Sequence, residues 1–377
     1  MAVLLLLIPP LIWALAKLAT RYFNRRTADL QQKTEALKAA SAARAQIDPT
    51  AFGLPSDGDL DPTRATAPGA DAAQLAQAEE AATAGDWKPF AAYLAEAGTD
   101  WNERYRRLWK LAEHASKDDG WLSAWRAAEP GSADAAVVHA TALIDLAWQV
   151  RSSKQAKHVT REQFDAFHRV LGEATEASRA AAELAPDDPS PFVSQLPIAM
   201  GLGWSHEQFD ALWQQVIARA PYHYSAHQTA LQYWCRKWSG SHEQMSAFAE
   251  RAAAGAPPES LLSGLRLAAL HELEFTEDDY RSWMTPQANQ AIDKVIADLK
   301  TVPTDDPRLP GLHHLLAYGL THNRRWAEAV EQFRLADRYI DHAPWTYTGR
   351  PKATYIEIRN RALTGWDKAG RPTPPTA

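Results

Sequence analysis

Ser205-His206-Glu207-Gln208 returns as Ser241-His242-Glu243-Gln244, the same four residues in the same order 36 positions later. An Ala-Pro pair keeps almost the same beat, at Ala185-Pro186, Ala220-Pro221 and Ala256-Pro257, with spacings of 35 and 36. A recurrence of this length marks one supersecondary unit copied along the chain. Each unit is too small to bury its apolar face alone and buries it against its neighbours. The expected architecture is all-α, a stack of antiparallel helix pairs, and such stacks commonly hold other molecules.

Each copy of the tetrapeptide also opens a helix. A Ser followed three residues later by Gln, ahead of an apolar-periodic run, is a capping box. Ser205 and Ser241 are expected to accept from the backbone N–H of Gln208 and Gln244, whose side chains reach back. Thr160 and Gln163 repeat the device at another helix. Glu207 and Glu243 then sit at the positive end of the helix dipole. Outward from these starts, helices are expected over residues 72–84, from 87, and over 101–115, 122–129, 133–149, 161–184, 191–201, 207–220, 225–237 and 243–254. The set closes with 261–274, 278–299, 311–321, 326–340 and 355–364, separated by Pro, Gly and Asp turns. No run alternates as a strand does.

Residues 1–16 read MAVLLLLIPPLIWALA, free of charge, and Lys17, Arg21, Arg25 and Arg26 come directly after. With Lys17 snorkelling, residues 1–23 reach spanning length, and the flanking cations place the downstream chain in the cytoplasm. No positive side chain precedes the apolar run and no Ala-x-Ala-like site comes after it, which argues against a cleaved signal peptide. The organisation expected is a transmembrane anchor over 1–23, a juxtamembrane helix over 24–45, a flexible linker over 46–71, a helical-repeat body over 72–368 and a disordered tail over 369–377. The linker is rich in Pro, Gly and Asp, a composition that would let the body range several tens of ångströms from the membrane.

A chain of 377 residues has ample length for a core, and its formal charge of −6 gives no field to recruit nucleic acid. Its single cysteine, Cys235, excludes an internal disulfide or a multi-cysteine zinc site. Cys235 stands beside Arg236 and Lys237, which would favour a thiolate, although a lone cysteine is more often a buried one. Fifteen Trp suit wedging between packed helices or lining a groove.

In Leu316, Ala317 and Leu320, followed by Ala329, Phe333 and Ala336, small residues alternate with a groove-filling aromatic, a pattern that resembles the tetratricopeptide family. Residues 78–94, around Gly85-Asp86-Trp87, look similar. The central block over residues 185–254, with its Tyr-Trp-Cys-Arg-Lys-Trp-Ser-Gly-Ser-His-Glu-Gln-Met run, resembles an uncharacterised domain family of actinobacterial and proteobacterial proteins. Both resemblances imply a helical-repeat fold and neither supplies catalytic residues.

The candidate partner-groove residues are Trp204, Trp213, Tyr233, Trp234 and Trp238, with core packing as the plain alternative. His-Glu pairs at His206, His242 and His271 fail the zinc-protease motif, because Asp210, Ser246 and Phe275 stand where the second histidine is needed. His223 and His227 share a helix face but are two ligands of the three or more that zinc requires. His313, His314 and His322 join them only if the fold allows it. Arg104, Arg106, Arg107 and Lys110 interleave with Trp101, Tyr105 and Trp109, an arrangement that can serve single-stranded nucleic acid. The periodicity places Trp101, Tyr105, Leu108 and Leu111 on one face and the arginines on the solvated side. The sequence thus points to a membrane-tethered scaffold or adaptor binding a partner helix or peptide, with no cofactor, no metal and no nucleic acid. The alternative is a hydrolase or transferase using His206, His242, Glu207 or Glu243 inside a helical cup.

Overall fold

The computed structural model describes residues 47–151 and 160–373. The expected anchor and juxtamembrane helix lie outside the described residues, as do residues 374–377 of the tail. Among the described residues no helix is long and apolar enough to cross a membrane.

The chain is all-α. Among the described residues it forms α1 (Ala72–Thr83), α2 (Lys88–Ala95), α3 (Trp101–Ala115), α4 (Gly120–Ala128), α5 (Ala133–Arg151), α6 (Arg161–Leu184), α7 (Ser190–Leu202) and α8 (His206–Arg219). Then come α9 (Tyr224–Tyr233), α10 (His242–Ala254), α11 (Gly264–Glu277), α12 (Pro286–Leu299), α13 (Leu309–His322), α14 (Trp326–Leu335) and α15 (Pro351–Lys368). The only extended pairing among them is an isolated bridge between Asp61 and Tyr339. Consecutive helices pack together as α1 with α2, α5 with α6, α7 with α8, α9 with α10 and α13 with α14. In addition, each odd-numbered helix from α3 to α13 touches the next odd one, as far as α15. These odd helices therefore make a continuous row.

The sequence beat reappears as contacts. His206 Nε2 meets the Ser239 carbonyl at 2.7 Å, Arg219 Nε donates to the Pro186 carbonyl at 2.5 Å, and the Tyr222 hydroxyl donates to the Gly255 carbonyl at 3.3 Å, each pair 33 residues apart. His242 reaches Glu277 and Lys237 reaches Glu272, each 35 apart. Of these groups His206 and His242 occupy equivalent places in the 36-residue recurrence, each meeting a residue 33 to 35 positions further on.

Local chemistry sets the helix starts. Thr160 and Ser205 both form the reciprocal capping box with Gln163 and Gln208. At Ser241 the forward bond from the Gln244 N–H forms at 3.2 Å, but the Ser241 hydroxyl donates to Glu243 at 2.7 Å. Ser205→Ala is expected to cost about 1 kcal/mol, read as a fall in the denaturant midpoint without a change in slope.

The expected helix over 278–299 divides. Asp278 enters the left-handed region at φ 53°, a short 3-10 turn covers Tyr280–Met284, and Thr285 caps a new helix at Pro286. Proline has no N–H to continue a helix but fits the first turn of one. The expected helix over 225–237 also stops early, at Tyr233. There the chain turns back so tightly that a Cβ on Gly240 would lie 2.0 Å from the Trp234 carbonyl oxygen.

The linker reading is corrected. Residues 47–68 do not form a free tether but a strap laid on α14, α15 and the segment between them. Leu54 and Leu60 are 4% and 3% exposed within the core that also buries Trp283, Phe333, Trp345 and Tyr355. The Asp61 N–H donates to the Arg338 carbonyl, the Ile340 N–H to Asp61, and the Asp341 N–H to Arg64, at 2.9, 2.9 and 3.0 Å. Arg359 is fully buried and donates to Asp57 and to the Pro55 carbonyl at 2.5 and 3.2 Å. The tail, too, is fastened as far as Pro372, whose carbonyl accepts from Trp366 at 2.8 Å.

The strap also constrains the whole. Ala65 accepts from His342 beyond α14, while Asp71 accepts from Tyr93 of α2 and Arg106 of α3. Six residues span at most about 20 Å, so the start of α1 lies within about that distance of the segment between α14 and α15. Asn102 at the start of α3 accepts from the Tyr224 N–H at 2.9 Å across 122 residues. The row of odd helices curves into a cup.

Candidate functional site

The odd helices line the interior of that cup. A cavity of about 460 Å³ is walled by Trp148 of α5, Pro197 and Met200 of α7, Gln228, Thr229, Leu231 and Gln232 of α9, Ala268, His271 and Glu272 of α11, Leu315 of α13, and Tyr347. An adjoining cleft of about 470 Å³ shares Pro197, Gln228 and Thr229 and runs on to Tyr105, Arg106, Trp109 and Lys110 of α3. Both volumes lie in the range that holds a small ligand or a few side chains of a partner. Pro197 stands mid-helix, where it removes one N–H from the ladder of α7.

The polar wall is built around Glu272, which is 3% exposed. Lys237 donates to both of its oxygens at 2.8 Å, Gln232 donates at 2.8 Å, and the Tyr347 hydroxyl donates as well. Burial alone would raise this carboxyl. The Lys237 ammonium and the two other donors, Tyr347 and Gln232, outweigh it and hold the group below the usual carboxylate range. Burial and the Glu272 charge push the Tyr347 hydroxyl far up, so it stays protonated and donating.

His271 precedes Glu272 on α11, and its ring stands edge-on to Tyr318 at 5.6 Å and to Tyr347 at 4.8 Å. Burial lowers its pKa to about 4, which leaves a neutral imidazole near pH 7. Beyond it lies a second Tyr–Glu pair: Glu274 accepts from Tyr318 at 2.8 Å and from Trp283 at 2.6 Å, and burial raises its carboxyl. The two carboxylates, Glu272 and Glu274, are thus each engaged by neighbouring donors, whereas among the described residues His271 has only ring contacts.

None of the five groove candidates lines the cavity. Tyr233 and Trp234 are buried in the core, Tyr233 stacked on Phe209 at 3.7 Å with its hydroxyl on the Trp204 carbonyl. Trp213 packs against His227 and Phe248, and Trp238 meets the cavity residue Trp148 edge-on at 5.7 Å, one ring behind the surface. His206 and His242 stand at the starts of α8 and α10, bound to Ser239 and Glu277, and Glu207 and Glu243 are exposed. The four do not meet in the cup. The third His-Glu pair, His271-Glu272, is the one inside it.

The arginine placement is corrected at Arg104. It is buried rather than solvated, because it bridges Asp134 at the start of α5 and Asp188 before α7. Arg106 and Arg107 are tied to Asp71, Glu103 and Glu96. Among the described residues no three His, Cys, Asp or Glu side chains are grouped to hold a metal. His223 and His227 are buried, and burial lowers the His223 pKa to about 4.

Cys235 is buried, its thiol on the Leu231 carbonyl at 3.3 Å, and burial pushes its pKa up to about 12. The neighbouring cations do not activate it, since Lys237 is engaged by Glu272. Alkylation of the folded protein by iodoacetamide at neutral pH should therefore be negligible over hours and rapid once denaturant is added.

Sequence reasoning meets His271 only as a failed zinc-protease motif and misses the cavity residues Gln228, Gln232, Glu272 and Tyr347. The available signal is a polar pair one turn apart, Gln228 and Gln232, on a helix whose buried positions include Ala226, Ala230, Leu231 and Tyr233. Compared with known proteins, the chain matches no family model, no curated protein and no solved structure.

Proposed function

We propose that this protein is a membrane-tethered interaction scaffold whose body is a tetratricopeptide-like stack of helix pairs, and that a partner peptide or helix occupies the inner groove. The observation that carries the reading is the joined cavity and cleft, built from one helix of each successive pair and walled mainly by apolar side chains. Such a surface gives a partner area to bury and a few fixed polar groups to orient it. The tether is the apolar segment over residues 1–23, with the body on the cytoplasmic side. Protease accessibility in intact cells against spheroplasts tests that placement.

A photo-crosslinking residue at Gln228, which lines both compartments and is exposed, tests the groove in the full-length protein in cells. The expected result is a discrete adduct from Gln228 and none from the same residue placed at Glu207 on the start of α8. Equal adducts from the two positions, or none from Gln228, would overturn the groove as the binding face.

A further inference from the structure

We infer that the cavity takes an uncharged stretch of extended peptide bearing a large apolar side chain, and that His271 meets the main chain of that peptide. This rests on the proposed groove and names the chemistry of its occupant.

The first observation is His271 itself. It lines the cavity, is 5% exposed, and among the described residues makes ring contacts with Tyr318 and Tyr347 and no hydrogen bond. Its ring nitrogens are not among the buried polar atoms sealed from solvent, so they stay open to an occupant of the cavity. A neutral imidazole presents one donor and one acceptor. That is the complement of a peptide unit, which offers one of each.

The second observation is charge. The carboxylate on the cavity wall, Glu272, is already engaged by Lys237, Gln232 and Tyr347. A charged side chain entering beside Glu272 would lose its water where Glu272 and Lys237 already satisfy each other, which is unfavourable. An apolar side chain would instead meet Met200, Leu231, Ala268 and Leu315.

The third is the row of amides. Gln228 and Gln232 lie one turn apart on α9 and share the cavity wall with His271 of α11, and an amide both donates and accepts as the main chain does. A helix spends its backbone groups internally and presents none to such a row. An extended segment keeps them available.

The test uses the full-length protein in detergent against immobilised short peptides randomised within four classes: neutral with a central Leu or Phe, acidic, basic, and stapled amphipathic helices. Two variants accompany it. His271→Phe keeps the ring between Tyr318 and Tyr347 but removes both nitrogens, and Gln228→Trp fills the cavity from an exposed position. The neutral class should be retained, weakened several-fold to about tenfold by His271→Phe, and lost with Gln228→Trp. If another class is the one blocked by Gln228→Trp, the groove reading stands and this assignment of its occupant falls. Neutral peptides bound equally by His271→Phe would remove His271 from recognition. If no class responds to Gln228→Trp, the groove reading falls and takes the inference with it.

Discussion

Replacing Leu54 and Leu60 together with Ala should lower the melting temperature by about ten degrees or more and open the chain to protease around the strap. Both side chains are within 4% of full burial and share a core with Phe333, Trp345 and Tyr355. A buried Leu→Ala change costs about 2–5 kcal/mol through lost transfer energy and the cavity left behind. The two sites are six residues apart and share core neighbours, so their costs need not add, but either alone is a large part of a typical domain's stability. For a body of this size each kcal/mol moves the midpoint by about 2–4 °C. Asp59→Asn serves as a control: the residue is exposed and its carboxylate accepts from Ser56 within the strap, so the change should cost less than about 1 kcal/mol. A free tether would make the double substitution silent, and an unchanged melt would restore that reading.

The contrast between strap and repeats shows what a single sequence can express. The capping boxes at Thr160 and Ser205 are legible because every group involved lies within four residues. The beat near 35 is legible because its copies stand in the sequence itself, at the starts of α8 and α10. The strap has neither property. Phe52, Leu54 and Leu60 follow no helical or strand period, and their partners lie far along the chain, as with Arg334 on Phe52 and Lys352 on Leu60, separated by 282 and 292 residues. Its Pro, Gly and Asp content serves local turns, such as Asp48 and Asp61 accepting from Thr50 and Thr63, and reads identically in a mobile linker. Arg104 is misplaced for a related reason. Helical phase sets it beside solvent, but two carboxylates from distant turns close over it. The cavity is illegible as a site because its wall draws a few residues from each of several helices. Composition alone can be read: an aromatic-rich helical body, without the rule that separates a Trp in the core from a Gln at the surface of the cup.

Lys237→Met should destabilise the protein by about 2–3 kcal/mol at pH 7, and the deficit should shrink as the pH is lowered. Removing one partner of a buried pair leaves the other charge uncompensated, at a typical cost of about 3–5 kcal/mol. The Lys237 side chain is 35% exposed, so solvent already screens part of the interaction and the figure is reduced accordingly. In the native protein Glu272 has its carboxyl held down. It therefore contributes stability above the ordinary value of 4.5, lost as the pH falls through its folded value. Without Lys237 the burial of Glu272 dominates and its folded pKa rises above the unfolded one. The sign then reverses: the protonated carboxyl is tolerated at low pH, and the penalty grows as the pH rises through the unfolded value towards the folded one. Urea midpoints at pH 7 and near pH 4.5 measure the two regimes. Adding Glu272→Gln to Lys237→Met should recover most of the loss at pH 7, because an uncharged amide still accepts from Tyr347 and no ion remains to be desolvated. A pH-independent deficit that Glu272→Gln leaves untouched would mean that Lys237 acts through its aliphatic packing and its contact with the Tyr347 ring at 4.8 Å, not through the charge of Glu272.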